Sequence, residues 1–193
     1  MAMRFKWVVA WLAPFLCLVA GPSQGQLKGE NLLVDMPPGF KVGYQDSRNA
    51  VKLAEWIPVS ETVQNWSEMV TVQIFSKRSD LDPAQFLHKI EEQWLTACKG
   101  SAPVPTVTGK ANGYVVSMVL LRCPLLPSTG KPETTMFRAI KGNESFYLVQ
   151  RAVRSLPSQD QLERIKQYLG SANVCDAGSP AHPCPVLQGP IAR

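Results

Sequence analysis

Histidine is scarce in this sequence, which contains only His88 and His182. The chain has no paired-histidine metal motif, no phosphate-binding glycine loop and no dinucleotide-binding fingerprint. A single Gly-x-Ser-x-Gly match, Gly21 to Gly25, has no strand before it, so we interpret it as chance and not as a hydrolase elbow. The sequence therefore predicts no catalytic residues, no metal site and no cofactor, and it favours a protein that is not an enzyme.

Clusters of like charge are also missing. Of the 20 basic residues, Arg4 and Lys6 fall in an N-terminal segment that we predict to be removed, which leaves 18 basic residues against 15 acidic ones. The remaining basic residues are scattered, whereas nucleic-acid recognition needs a basic stripe or patch. We therefore expect no nucleic-acid partner.

Long apolar runs are confined to the N-terminus. Two basic residues precede the almost unbroken apolar run 7–20, and small residues follow it, which is the layout of a secretory signal peptide. The run is shorter than the roughly 20 residues that a membrane-spanning helix needs. We predict a signal peptide over 1–25, cleaved after Gly25 or Ala20, no membrane span in the mature chain, and a periplasmic or secreted location.

The mature chain keeps four cysteines, Cys98, Cys123, Cys175 and Cys184. An even number of cysteines in an exported protein predicts two disulfides. Three connectivities are possible; we prefer Cys98–Cys123, which would tie the end of a helix to a later strand, and Cys175–Cys184, which would close a short Pro-rich loop. A metal site that includes His182 is disfavoured, because the spacing matches no familiar zinc pattern.

Alternating apolar and polar residues predict an antiparallel sheet, because tight turns separate the segments. The first four predicted strands lie at 31–37, 40–45, 51–59 and 69–75, with a turn at 46–49. A strand leading into the Asn112-Gly113 hairpin turn, and further strands at 114–123, 134–140 and 145–154, follow the first helix.

Two amphipathic helices complete the pattern. Asp82 and Pro83 are typical of a helix start, and the apolar stripe that follows is Leu87, Ile90, Trp94 and Ala97. Ser158 is expected to cap a second helix that ends at Gly170. We predict one α+β domain over 26–176, with an antiparallel sheet of about six to eight strands packed by two helices. Residues 177–193 are expected to form a Pro/Gly-rich tail that contains His182.

The order of these segments resembles the PsbP-like family. The matching pieces are "DMPPGFKV", "MVTVQIF" before "DPAQFLHKI", the "KGNESFYLVQ" hairpin and the closing "LERIKQYL" helix, and together they span 31–175. The family includes the photosystem subunit that names it, bacterial envelope proteins of the DcrB and LpqN kind, and Ran-binding import factors. The resemblance implies an α/β/α sandwich used for binding or accessory roles, and it carries over no catalytic residue.

An aromatic, polar segment is the best candidate for partner binding. Trp56 and Trp66 flank a connecting loop that also carries Glu61 and Asn65, and tryptophans anchor many protein interfaces. Packing of either indole in the core is the competing interpretation. We expect an exported accessory or binding protein of the bacterial envelope that contacts another envelope protein, its oligomeric state left open. The alternative is a small-molecule carrier or weak hydrolase with a cleft between helix and sheet.

Overall fold

A computed structural model describes residues 27–102 and 104–186. The predicted signal peptide lies outside the described residues. The helices are α1 (Pro83–Ala97) and α2 (Gln159–Ser171). The strands are β1 (Glu30–Leu33), β2 (Phe40–Arg48), β3 (Val51–Pro58), β4 (Glu68–Ser76), β5 (Val107–Ala111), β6 (Tyr114–Leu126), β7 (Lys131–Lys141), β8 (Ser145–Val153) and β9 (Asn173–Asp176).

The large sheet has seven strands in the order β2-β3-β4-β8-β7-β6-β5, and every neighbouring pair is antiparallel. β1 and β9 form a separate two-stranded antiparallel sheet. The predicted α+β fold, with an antiparallel sheet packed by two helices, is therefore confirmed. Within the described part of the chain, no helix has the length and apolar character needed to cross a membrane.

Two hairpin turns contain residues with positive φ. Asn112 and Gly113 both have positive φ (47° and 81°), which is the backbone that a two-residue β5–β6 turn requires. The β2–β3 turn lies two residues later than the predicted 46–49. The strand pairing continues to Arg48 and Val51, and the positive φ angles fall on Asn49 and Ala50. Alanine does not favour positive φ, so the sequence did not predict that the turn includes Ala50.

Helix α1 covers one face of the large sheet, here called the α1 face. The side chain of Asp82 accepts a hydrogen bond from the Gln85 backbone N–H at 2.9 Å, which caps the first turn. The helix buries Leu87 against β6, β7 and the start of β8, in a cluster that includes Phe137 and Phe146. Cys98 directly follows the helix and is bonded to Cys123 of β6, so the helix end is fixed covalently to the sheet it covers.

Helix α2 covers the opposite face, the α2 face. Ser158 caps the helix, as the sequence predicts, and forms a capping box with Gln161; an apolar stripe that includes Leu169 packs on β7 and β8. The predicted stop at Gly170 is wrong. The helix runs to Ser171 and is capped by Ala172, because the next residues extend at once into β9 and pair with β1.

The β1–β9 pair lies on the α2 face beside α2, with Val174 packed among Tyr114, Val116 and Ile140. The disulfide Cys175–Cys184 joins β9 to the residues after it, which is the preferred pairing for the second bridge. His182, expected in a loose tail, instead stacks on Tyr114 at 4.1 Å between ring centroids. Its Nδ1 donates a hydrogen bond to the Asn112 carbonyl at 2.8 Å. The disulfide loop therefore packs against the β5–β6 turn.

A carboxylate anchors β1 to the β7–β8 turn. Glu30 accepts hydrogen bonds from the backbone N–H groups of Asn143 (2.6 Å), Glu144 (3.2 Å) and Ser145 (3.1 Å). It also accepts one from the Tyr147 hydroxyl at 2.9 Å. Burial, together with this carboxylate, raises the pKa of Tyr147, so the hydroxyl remains a donor. One side chain thus satisfies several donors that the turn would otherwise leave unpaired.

Replacing Glu30 with Gln should lower the free energy of unfolding by about 2–3 kcal/mol, because charge-assisted hydrogen bonds are lost and the amide NH2 faces other donors. Urea unfolding of the oxidised protein measures this change. Glu163→Gln is the matched control, since Glu163 is exposed on α2, where its only contacts are a 3.5 Å hydrogen bond from Gln159 and a 3.7 Å ion pair with Lys166. Equal unfolding midpoints for the two variants would contradict the anchoring role of Glu30.

Candidate partner-binding surface

Strand register separates the four residues predicted to bind a partner. Trp56 lies opposite Val42 on β2 and Val70 on β4, on the α2 face, where it packs at the edge of the α2 cluster. Glu61, Asn65 and Trp66 belong to the β3–β4 connection, which lies on the α1 face. Trp66 contacts Ile57 and neighbouring residues there. The structure therefore does not bring the four residues together on one surface.

Trp66 is part of the core. Its side chain is only 8% exposed and packs with Ile57, Met69 and Ala152. The Arg154 guanidinium lies 4.0 Å from the centroid of the indole ring and covers its outer face. The indole therefore has little free surface for a partner. Of the two interpretations of Trp66, packing in the core is the one that describes its position.

The rest of the loop is held by its own side chains. Glu61 accepts hydrogen bonds from the Ser67 backbone N–H at 2.7 Å and from the Ser67 hydroxyl at 2.6 Å, which closes the loop from end to end. Asn65 is exposed, and its side-chain oxygen accepts a hydrogen bond from Lys131 Nζ at 3.4 Å. Of the three loop residues in the predicted set, Asn65 is thus the one that faces solvent.

A β-bulge in the edge strand β2 places Val42 and Tyr44 on opposite faces of the sheet. The register shifts between Val42 and Tyr44, at Gly43. A Cβ at Gly43 would lie 2.9 Å from both Ile57 Cδ1 and Val63 Cγ1, so any larger residue would force these side chains to move. Val42 and Tyr44 on either side are 44% and 40% exposed.

Exposed apolar residues are concentrated along this edge. Eight large hydrophobic residues are exposed in the described part of the chain, and four of them lie on or next to β2: Met36, Val42, Tyr44 and Val59. The half-buried Trp56 lies directly beside Val42 in the sheet. These five residues and the outer edge of β2 are here called the β2 surface; Val42 and Trp56 lie on its α2 face, and Tyr44, opposite Glu55, lies on its α1 face. An exposed apolar patch on a free strand edge is typical of an interaction site.

An open groove of about 460 Å³ continues from the β2 surface toward the β2–β3 turn. Its floor is mostly apolar and its rim is polar: Gln45, Asp46, Ser47, Lys52, Leu53, Ala54, Val72 and Ile74. The Asp46 carboxylate in its rim is already paired with Arg48 at 3.0 Å and accepts the Ser47 backbone N–H at 2.8 Å. The groove therefore offers an apolar floor and one unengaged cation, Lys52.

The two carboxyl groups with raised pKa values are far apart. Burial raises the pKa of Glu55 and of Glu133, the latter opposed by Thr135 and Arg154. Glu55 is on β3 and Glu133 on β7, three strand spacings apart, or about 14 Å. Paired carboxylates that hydrolyse glycosides are about 5–9.5 Å apart, so these two cannot act as such a pair. Within residues 27–102 and 104–186, no group of three or more His, Cys, Asp or Glu could hold a metal ion.

The β2 surface was missed by the sequence analysis because of the bulge. Strict alternation in "FKVGYQ" places Phe40, Val42 and Tyr44 on one half-buried face. The extra residue at Gly43 breaks that alternation, and an isolated glycine within a strand pattern is the one local sign of such a bulge.

No protein-family model matches the chain, and the comparison with curated proteins finds no match. Solved structures that are similar to it include three at 10–12% identity. The Ran-binding protein Mog1p of Saccharomyces cerevisiae has a TM-score of 0.41, covering 74% of this chain and 85% of its own. PsbP (CyanoP) of Synechocystis sp. PCC 6803 has a TM-score of 0.44, with 79% and 94% covered.

The third structure is LpqN, described as involved in cell envelope biogenesis of Mycobacterium tuberculosis. It is 12% identical, with a TM-score of 0.38, and covers 76% of this chain and 82% of its own. The similar structures thus include proteins of the PsbP, LpqN and Ran-binding kinds that the resemblance drawn from the sequence names. At this level the likeness concerns the fold, and no partner or function is transferred from it.

Trp66→Ala should lower the free energy of unfolding by about 3–5 kcal/mol, because a buried indole is lost and a cavity remains. Trp56→Ala, which removes a half-buried ring at the edge of the cluster, should cost clearly less. Urea unfolding of both variants against the unmodified protein measures the difference. An equal or larger loss for Trp56→Ala would contradict the assignment of Trp66 to the core and Trp56 to the surface.

Proposed function

We propose that this chain is an exported, non-enzymatic binding or accessory protein of the bacterial envelope, and that the β2 surface contacts another envelope protein. The observation that carries this proposal is the exposed apolar patch along the free edge of β2. Monomeric proteins protect such edges, because an open edge with apolar flanks promotes pairing with other chains.

The chemistry of the patch favours a protein segment over a small polar ligand. Edge strands recognise extended segments through their free backbone N–H and C=O groups, while neighbouring side chains select the apolar residues of the partner. On this edge Val42 and Trp56 lie side by side on the α2 face, and Val59 follows directly after β3.

Export is supported by the cysteines. All four cysteines of the described residues are paired in two disulfides, and disulfides form and persist in oxidising compartments. The Cys98–Cys123 bridge closes a separation of 25 residues, which contributes about 3 kcal/mol in the chain-entropy account. The disulfides therefore stabilise the fold in a compartment that keeps them oxidised.

Val42→Lys should abolish capture of the partner and leave the melting temperature nearly unchanged, because the side chain is exposed and a charge at the centre of the patch opposes apolar docking. The measurement is crosslinking in the native envelope, followed by identification of the crosslinked protein by mass spectrometry. Leu125→Lys is the matched control, since Leu125 is 59% exposed on β6, away from the β2 surface. The proposal fails if both variants crosslink to the same protein as well as the unmodified chain does.

A further inference from the structure

Arg138 is a buried cation in apolar surroundings. It lies on β7, on the α2 face, and is only 5% exposed. Its cross-strand neighbours are Met118 on β6 and Val149 on β8, and its same-face neighbours along β7 are Met136 and Ile140. All four flanking side chains are apolar.

The guanidinium has no acidic partner among the described residues. Its Nη1 donates to the Met118 sulfur at 3.6 Å, and its Nε has no hydrogen-bond partner. Burial lowers the pKa of Arg138, and no neighbouring charge opposes that effect. The nearby carboxylates on this face are engaged elsewhere: Glu30 with the β7–β8 turn, and Glu68 with Arg151 at 2.6 Å.

An unpaired buried charge is costly. Desolvation of a guanidinium is offset only by a close anion or a full set of acceptors, and a single thioether is a weak acceptor. Such a residue lowers the stability of the free protein, and an anion that binds to it offsets the desolvation cost. A planar guanidinium matches a carboxylate particularly well, because it can donate two parallel hydrogen bonds.

An apolar strip leads from the surface to this guanidinium. Met118, which contacts Arg138, is half-buried, and its partner on the edge strand β5 is Val107, which is 69% exposed. Leu120 continues the strip on the same face of β6 and is also half-buried. Methionine is unbranched and flexible, so its side chain can move aside at low cost.

We propose that Arg138 binds the carboxylate of an amphipathic small molecule whose apolar chain lies along Val107, Met118 and Leu120. The carboxylate replaces the Met118 sulfur as the acceptor and takes up the free Nε–H. The site runs from Arg138 on β7 to Val107 on the edge strand β5, whereas β2 is the opposite edge of the sheet, so the site is independent of the proposed protein contact.

The test uses the oxidised mature protein with three probes: decanoate, decanol and acetate. Decanoate should raise the melting temperature by about 5–10 °C when it is near 100 times its dissociation constant, and isothermal titration should give one site per chain. Acetate lacks the apolar chain and decanol lacks the charge, so neither should raise the melting temperature as much as decanoate does. An absent decanoate shift, or an equal shift with decanol, would overturn the proposal.

Arg138→Met separates this role from a structural one. Without ligand the variant should melt at the same temperature as the unmodified protein or above it, since an unpaired charge is removed, and it should lose the decanoate shift. Arg151→Met is the matched control: it should melt lower because Glu68 loses its partner, and yet keep the shift. Arg138→Lys, which keeps the charge, should bind decanoate at least about tenfold more weakly. A destabilised Arg138→Met, or one that retains the shift, contradicts the proposal.

Discussion

The width of the sheet governs the rest of the structure. Seven strands span about 29 Å across the sheet, whereas a helix with its side chains is about 10–12 Å wide. One helix on each face therefore covers only two or three strands. Both α1 and α2 lie over the β6–β8 half, where strands are the most apolar, and the β2–β4 half must be covered by other means or remain open.

The strands that the helices leave uncovered are covered differently on the two faces of the sheet. On the α1 face the β3–β4 loop folds over the strands, and Trp66 beneath Arg154 fills the space that a second helix would occupy. On the α2 face the β1–β9 pair extends the cover toward β5, held by Glu30 and by the Cys175–Cys184 bridge. No described element covers the outer strands β2 and β3 on that face, so Trp56 and Val42 remain accessible there.

Local signals in the sequence predicted most of the fold, because capping residues, apolar stripes and turn dipeptides act over a few residues. Asp82, Ser158 and the Asn112-Gly113 turn behave as their chemistry requires. The candidate site was harder to predict, since it depends on which face each residue occupies. The bulge at Gly43 and the separation of Trp56 from Trp66 arise from strand register, which a single sequence does not encode in any short pattern.

The two unusual features lie in different halves of the sheet: the apolar edge at β2, and the unpaired Arg138 on β7, two strands in from the β5 edge. The β2 edge is open because the cover on the α2 face stops short of β2 and β3, and the accessibility of side chains measures that cover most directly. Hydroxyl-radical footprinting of the oxidised protein compares the oxidation rates of Trp56 and Trp66, which share the same intrinsic reactivity. The account predicts that Trp56 oxidises several-fold faster and that Trp66 is protected. Equal rates, or faster oxidation of Trp66, would contradict it.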